Sequence, residues 1–180
     1  MAVEGPADPA LRRSRLPVAI LLVAVVATFS PALFGNYAWD DTHLIAHNGA
    51  LLRSDLGALL GEPLFGMQRG FWRPITLLVL WVGHQLGGAF GVHLLALLLH
   101  GGNCVLVLGL ARRWLLPWPA LWVALLFALH PVQVESVAWC AAINDPLWVL
   151  FALLAIGSAV RWRDRGSRGL PWATAGCVLA

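Results

Sequence analysis

The chain has 180 residues, of which 59% are hydrophobic and only 12% charged, and its mean hydropathy is +0.76. Soluble domains carry about a quarter charged residues, so the composition argues against a water-soluble globular domain. The net charge of +3 comes from 12 arginines, with no lysine, against 9 acids, and their positions between apolar runs carry the topology.

The first run, 16–34, follows Arg12, Arg13 and Arg15. It is longer than a signal-peptide core and is followed by further runs, so it reads as a membrane span with a cytoplasmic tail at 1–15. Residues 35–89 then form a large loop. Within it, Leu52, Leu56, Leu59 and Leu60 share one helical face, as in a short helix lying on a membrane. Pro74 to Val82 is continuously apolar, but the run is broken by Gly83, His84, Gln85 and Gly87-Gly88. That length predicts a second in-plane helix over 74–86.

Three further spans are expected at about 90–111, 115–134 and 146–160, and a fifth run, 170–180, is cut off by the end of the sequence. With 74–86 in the membrane plane, nine of the twelve arginines fall on one side, as the positive-inside rule requires. Six of the nine acids (Asp40, Asp41, Asp55, Glu62, Glu135 and Asp145) fall on the other. Ten tryptophans, many at the ends of runs, fit interfacial belts. The three cysteines, 104, 140 and 177, have no metal or disulfide spacing. The expectation is an all-α, polytopic membrane protein with its candidate site facing outward.

Asp40 and Asp41 follow the first span directly. Adjacent carboxylates at an interface repel one another, and low dielectric raises the pKa of at least one, which is how a carboxylate becomes a base near neutral pH. An N-cap for a turn starting at Thr42 is the competing reading. His43 and His47, spaced i, i+4, could join the pair around a divalent metal, but a third ligand at fixed spacing is missing and a hydrogen-bonding role fits as well. Arg73 before Pro74 combines a guanidinium with a helix start, an arrangement that takes a phosphate; an interfacial arginine reaching for headgroups is the alternative. His130 and Glu135 close the third span, and Asn144 and Asp145 open the fourth, on the same side as Asp40. An ordinary helix start before Pro146 also accounts for the last pair. His93, His100 and Asn103 are expected to serve interhelical hydrogen bonds.

Four segments carry a resemblance. They are Asn36-Tyr-Ala-Trp-Asp-Asp-Thr-His-Leu-Ile45 with Asn48, Phe71-Trp-Arg-Pro-Ile-Thr-Leu77, Gly91-Val-His-Leu-Leu-Ala-Leu-Leu-Leu-His100 with Asn103, and Ala128-Leu-His-Pro-Val-Gln-Val-Glu-Ser-Val-Ala-Trp139 with Asn144-Asp145. In order and spacing they resemble the membrane region of the transmembrane and tetratricopeptide repeat-containing O-mannosyltransferases and their bacterial relatives. The resemblance implies a GT-C class glycosyltransferase with two in-plane helices in its first outer loop. Such an enzyme takes a sugar, mannose in the first instance, from a polyprenyl-phosphate carrier and passes it to a Ser or Thr hydroxyl of an exported protein.

By the same resemblance a carboxylate of the first outer loop, Asp40 or Asp41, is the base; the residue reading adds Arg73 as the expected donor-phosphate contact and His43, His130, Glu135, Asn144 and Asp145 as the expected positioners of acceptor or sugar. No cofactor is implied beyond an optional divalent metal, and no nucleic-acid partner. The implied location is the bacterial inner membrane or the endoplasmic reticulum membrane, with the site on the periplasmic or luminal face. Ile143 stands where relatives usually have an arginine, which removes one contact to the donor phosphate. The family also has many more spans, so the 180 residues are expected to be its N-terminal portion. The competing class is a non-catalytic membrane module that binds lipid phosphate or scaffolds a partner.

Overall fold

The computed structural model describes residues 15–61 and 72–166. The expected fifth run, together with Arg12, Arg13, Glu62, Phe71, Arg168 and Cys177, lies outside the described residues. Among those residues every regular element is helical. The first, α1 (Leu16–Phe29), carries Pro17 in its first turn, where a missing N–H costs nothing. At the other end Pro31 removes a helical donor, and the chain tightens into a 3-10 turn, Ser30–Phe34.

The loop that follows holds two very short helices, α2 (Gly49–Leu52) and α3 (Leu56–Gly61), rather than one continuous amphipathic helix. Local capping causes the break. Asn48 Oδ1 accepts from the N–H groups of Ala50 and Leu51, both at 3.1 Å, while Asp55 Oδ1 accepts from Ala58 N–H at 3.0 Å. Ser54 between them takes a positive φ of 56°. Leu51 and Leu59 are therefore the buried anchors, and Leu52 and Leu56 point outward.

The helix α4 (Pro74–Gly87) turns through Gly87-Gly88 and folds back on the start of α5 (Ala89–Ala111). Gly88 has φ 63° and ψ −131°, a conformation open to glycine and few other residues. The two backbones meet at glycines: a Cβ on Gly91 would lie 2.0 Å from the carbonyl oxygen of Gly83, and one on Gly83 would lie 2.8 Å from Val92 Cα. Beneath this crossing Leu77, Leu80, Val92 and Ala96 pack with Leu44, Ile45, Leu51, Leu59, Cys140 and Ile143 into one apolar core.

The run expected over 115–134 is continuously helical only as α6 (Pro117–Ala128). Pro131 disfavours helical backbone at His130, and the chain resumes as α7 (Gln133–Ala138), then a 3-10 turn, Cys140–Ile143, and α8 (Asn144–Asp164). A second core joins Leu21, Val25 and Phe29 of α1 to Leu97, Cys104 and Leu108 of α5 and to Ala120, Leu121 and Ala124 of α6.

Among the described residues three segments are long and apolar enough to cross a membrane: Leu16–Phe34, Ala89–Ala111 and Cys140–Asp164. α1 and α5 run antiparallel, with Leu22 beside Gly101 and Gly35 beside His93. α5 and α8 run parallel: Asn103 Nδ2 donates to Pro146 O at 2.8 Å, Leu110 reaches Gly157, and Arg113 pairs with Asp164. This directionality gathers Arg15, Arg112, Arg113, Arg161, Arg163 and Arg165 at one end of the bundle, with the Tyr37–Asp41 loop at the other. His100 and Asn103 do link helices, His100 Nε2 lying 3.0 Å from Ala128 O.

Candidate functional site

After the 3-10 turn the chain enters a tight bend in which Trp39 takes φ 49°, strained for a residue with a side chain. The bend holds because Ala38 N–H donates to Asp41 Oδ2 at 3.0 Å, Asp41 N–H donates back to Ala38 O at 3.0 Å, and the Thr42 hydroxyl donates to Trp39 O at 2.6 Å. A wide helical turn, Thr42–Ala46, follows and buries Leu44 and Ile45.

The two carboxylates of the pair are in different situations. Asp41 is 1% exposed. Its Oδ1 accepts from Ala141 N–H at 2.6 Å while Oδ2 is held by Ala38, so one side chain ties the first loop to the turn before α8. It does not cap the Thr42 turn, contrary to the capping alternative. Burial raises its pKa above the usual carboxylate range, against the opposing pull of the two N–H groups and of His93. Asp40, one residue earlier, is only half-buried.

Around Asp41 lies a polar cluster that sequence reasoning had not assembled. His93, 2% exposed, sits between Gly35 and the Cys140 thiol, 3.5 Å from its Nε2. The sole tyrosine, Tyr37, places its hydroxyl 2.9 Å from His84 Nδ1, with the two rings stacked at 6.3 Å. Burial pushes the Tyr37 pKa up to about 12, with Cys140 and Asp41 adding to the effect. A lone tyrosine near the carboxylate pair, and a histidine near the start of a largely apolar helix, were the available signals. Trp39 and Trp139 meet edge to face at 6.1 Å, a second contact between the same two loops.

The other expected residues are more dispersed. His43 and His47 are exposed, with ring centroids 6.5 Å apart. Among the described residues no three His, Cys, Asp or Glu side chains converge as a metal site. Arg73 is the residue before α4, half-buried. His130 Nδ1 accepts from Val132 N–H at 3.2 Å within its own turn, and Glu135 is exposed in the first turn of α7. Asn144 donates to Asp145 Oδ1 at 2.7 Å and Ser136 to Asp145 Oδ2 at 3.4 Å, a small network of their own beside α7.

The fold and this loop cluster define an all-helical polytopic membrane protein whose first long loop is anchored by a buried carboxylate. Its relatives include the human protein O-mannosyl-transferase TMTC4, 31% identical over 172 residues (82% of this chain, 23% of that protein), and mouse TMTC4, 30% identical over 166 residues (78% and 22%). The Drosophila melanogaster protein O-mannosyl-transferase Tmtc2 is 30% identical over 161 residues (82% and 17%). The chain thus spans less than a quarter of the length of the curated relatives it matches. No protein-family model and no solved structure matches it.

Proposed function

We propose that the chain is the carboxylate-bearing portion of a membrane glycosyltransferase of the GT-C class. In this reading it transfers a sugar, mannose in the first instance, from a polyprenyl-phosphate carrier to a Ser or Thr hydroxyl of an exported protein on the periplasmic or luminal face. The relatives support the sugar and the protein acceptor. The gathering of arginines at the end opposite the Tyr37–Asp41 loop supports the outward-facing site.

The observation that carries the reading is the division of the carboxylate pair. Asp41 is buried with an N–H on each oxygen, so it is a positioning residue. Asp40, held by that anchor yet half-exposed, is the base. An alcohol is a weak nucleophile, and its attack is eased when a positioned carboxylate takes the proton as the bond forms. In the proposed step the acceptor oxygen bonds to the anomeric carbon as the bond from that carbon to the phosphate oxygen breaks. The configuration inverts, and Asp40 ends with the proton. Charge develops on the departing polyprenyl phosphate, where Arg73 at the start of α4 supplies an opposite charge. His43, His130, Glu135, Asn144 and Asp145 remain candidates for orienting the acceptor or the sugar.

The test is transfer of radiolabelled mannose from polyprenyl-phosphate mannose to a Ser/Thr peptide, using membranes that carry the chain, its Asp40→Asn variant, its Arg73→Gln variant, or none. Transfer that requires the chain, disappears with Asp40→Asn and is weakened by Arg73→Gln is expected. Undiminished transfer by Asp40→Asn, properly inserted, overturns the assignment.

A further inference from the structure

The opposite end of the bundle carries a separate feature. Among the described residues six arginines gather there: Arg15 before α1, Arg112 and Arg113 at the end of α5, and Arg161, Arg163 and Arg165 at the end of α8. Asp164 is the one acid among them, and it is engaged with Arg113. That ion pair fastens the ends of α5 and α8 side by side, and Arg163 Nε lies 3.9 Å from the same Asp164 carboxylate, while Arg161 and Arg165, one turn apart, share a side of α8. Arg161, Arg163 and Arg165 are exposed, and the Arg163 side chain keeps 68% of its area in solvent.

Two further observations fix the depth and chemistry of this surface. Trp114 and Trp118, 62% and 50% exposed, flank it at the turn between α5 and α6, where amphipathic indoles sit at headgroup level. Every cation of the chain is arginine rather than lysine. The planar guanidinium fork matches two oxygens of a phosphate, which a point-charge ammonium does not.

We propose that this surface binds the headgroup of an anionic phospholipid, its phosphodiester held by Arg161 and Arg165, one turn apart on α8, with Arg163 adding positive charge beside the Arg113–Asp164 pair. The helices place the arginines where lipid phosphates lie, and the excess of positive charge selects an anionic over a zwitterionic lipid. The proposal is independent of the transferase reading.

The test uses the full chain in uncharged detergent, titrated with phosphatidylglycerol or phosphatidylcholine and read by native mass spectrometry and by the shift in melting temperature. Saturable binding of phosphatidylglycerol alone is expected. The triple variant Arg161→Gln, Arg163→Gln, Arg165→Gln should bind about 100-fold more weakly, at roughly tenfold or less per arginine near an anionic surface. The three side chains are exposed, so its melting without lipid should match wild type. A charge-keeping triple lysine variant should show an intermediate loss. Equal retention of the two lipids, or wild-type binding by the glutamine variant, overturns the proposal. So does displacement of phosphatidylglycerol by an equal concentration of inorganic phosphate, which would assign the surface to a free anion.

Discussion

Replacing Gly91 by alanine adds one methyl group at the place where α4 and α5 touch backbone to backbone. The added Cβ would stand 2.0 Å from the Gly83 carbonyl oxygen and 3.1 Å from its carbon, whereas real Cβ atoms do not approach within 3.0 Å. Relief requires the helices to part by about 1 Å, because no side-chain rotation moves a carbonyl of the main chain. Overpacking of this kind costs about 1–3 kcal/mol, and a backbone obstacle belongs at or above the upper end. Alanine returns up to about 1 kcal/mol of helix propensity, leaving a net loss of about 2 kcal/mol. For a chain of this size that is a fall of about 4–8 °C in melting temperature.

Gly102→Ala, on the same helix, is the control, since a Cβ there meets nothing within 4 Å. It should melt at or slightly above wild type. Parting α4 from α5 also pulls His84, next to Gly83, away from Tyr37, so maleimide labelling of the buried Cys140 should quicken in Gly91→Ala and not in Gly102→Ala. Thermal melting followed by tryptophan fluorescence, with thiol labelling in parallel, measures both effects. A Gly91→Ala variant that melts with or above Gly102→Ala would refute the close crossing and the packing built on it.

Four other outcomes are expected. Asp41→Ala leaves the Ala38 and Ala141 N–H groups without their acceptor and should lower stability by about 2 kcal/mol, whereas Asp40→Ala should change it by less than about 0.5 kcal/mol; melting curves distinguish them. Because burial raises the Asp41 pKa, the stability that this group contributes is complete below the ordinary carboxylate range and is lost as pH rises through the raised value. The melting temperature should therefore carry a component that falls with rising pH above the ordinary carboxylate range, and Asp41→Asn should remove that component. Tyr37→Phe removes the hydroxyl bonded to His84 and should cost about 1 kcal/mol, visible as a lower melting temperature and faster Cys140 labelling. Asn48→Ala strips two N–H groups of their cap and should cost about 1 kcal/mol, read from hydrogen exchange of Ala50 and Leu51.

The long apolar runs were legible because spanning a bilayer sets a length that no loop composition imitates. Among the described residues the three segments long and apolar enough to cross a membrane, 16–34, 89–111 and 140–164, overlap runs read in the sequence. What periodicity could not show was interruption by local chemistry. Asn48 and Asp55 each cap a separate short helix and split the expected leucine face, and Pro131 ends α6 well before residue 134. At the site, Asp40 and Asp41 were marked by type and position, but the division of roles proposed for them rests on Ala141, one hundred residues from Asp41, whose N–H has no signature in sequence. Tyr37, His84 and His93 come together for the same reason: the hairpin at Gly87-Gly88 and the antiparallel course of α1 and α5 bring them there, and the second is not a local property.

The central claim is that Asp40 does chemistry while Asp41 holds the loop that presents it. The most direct measurement puts Asp40→Asn and Asp41→Asn through mannose transfer and thermal melting in the same membrane preparations. The expected result is that Asp40→Asn melts as wild type and transfers nothing, while Asp41→Asn changes the melting behaviour and keeps a reduced but measurable transfer. Transfer retained by Asp40→Asn and abolished by Asp41→Asn, with both variants folded, would contradict the account and move the base to the buried carboxylate.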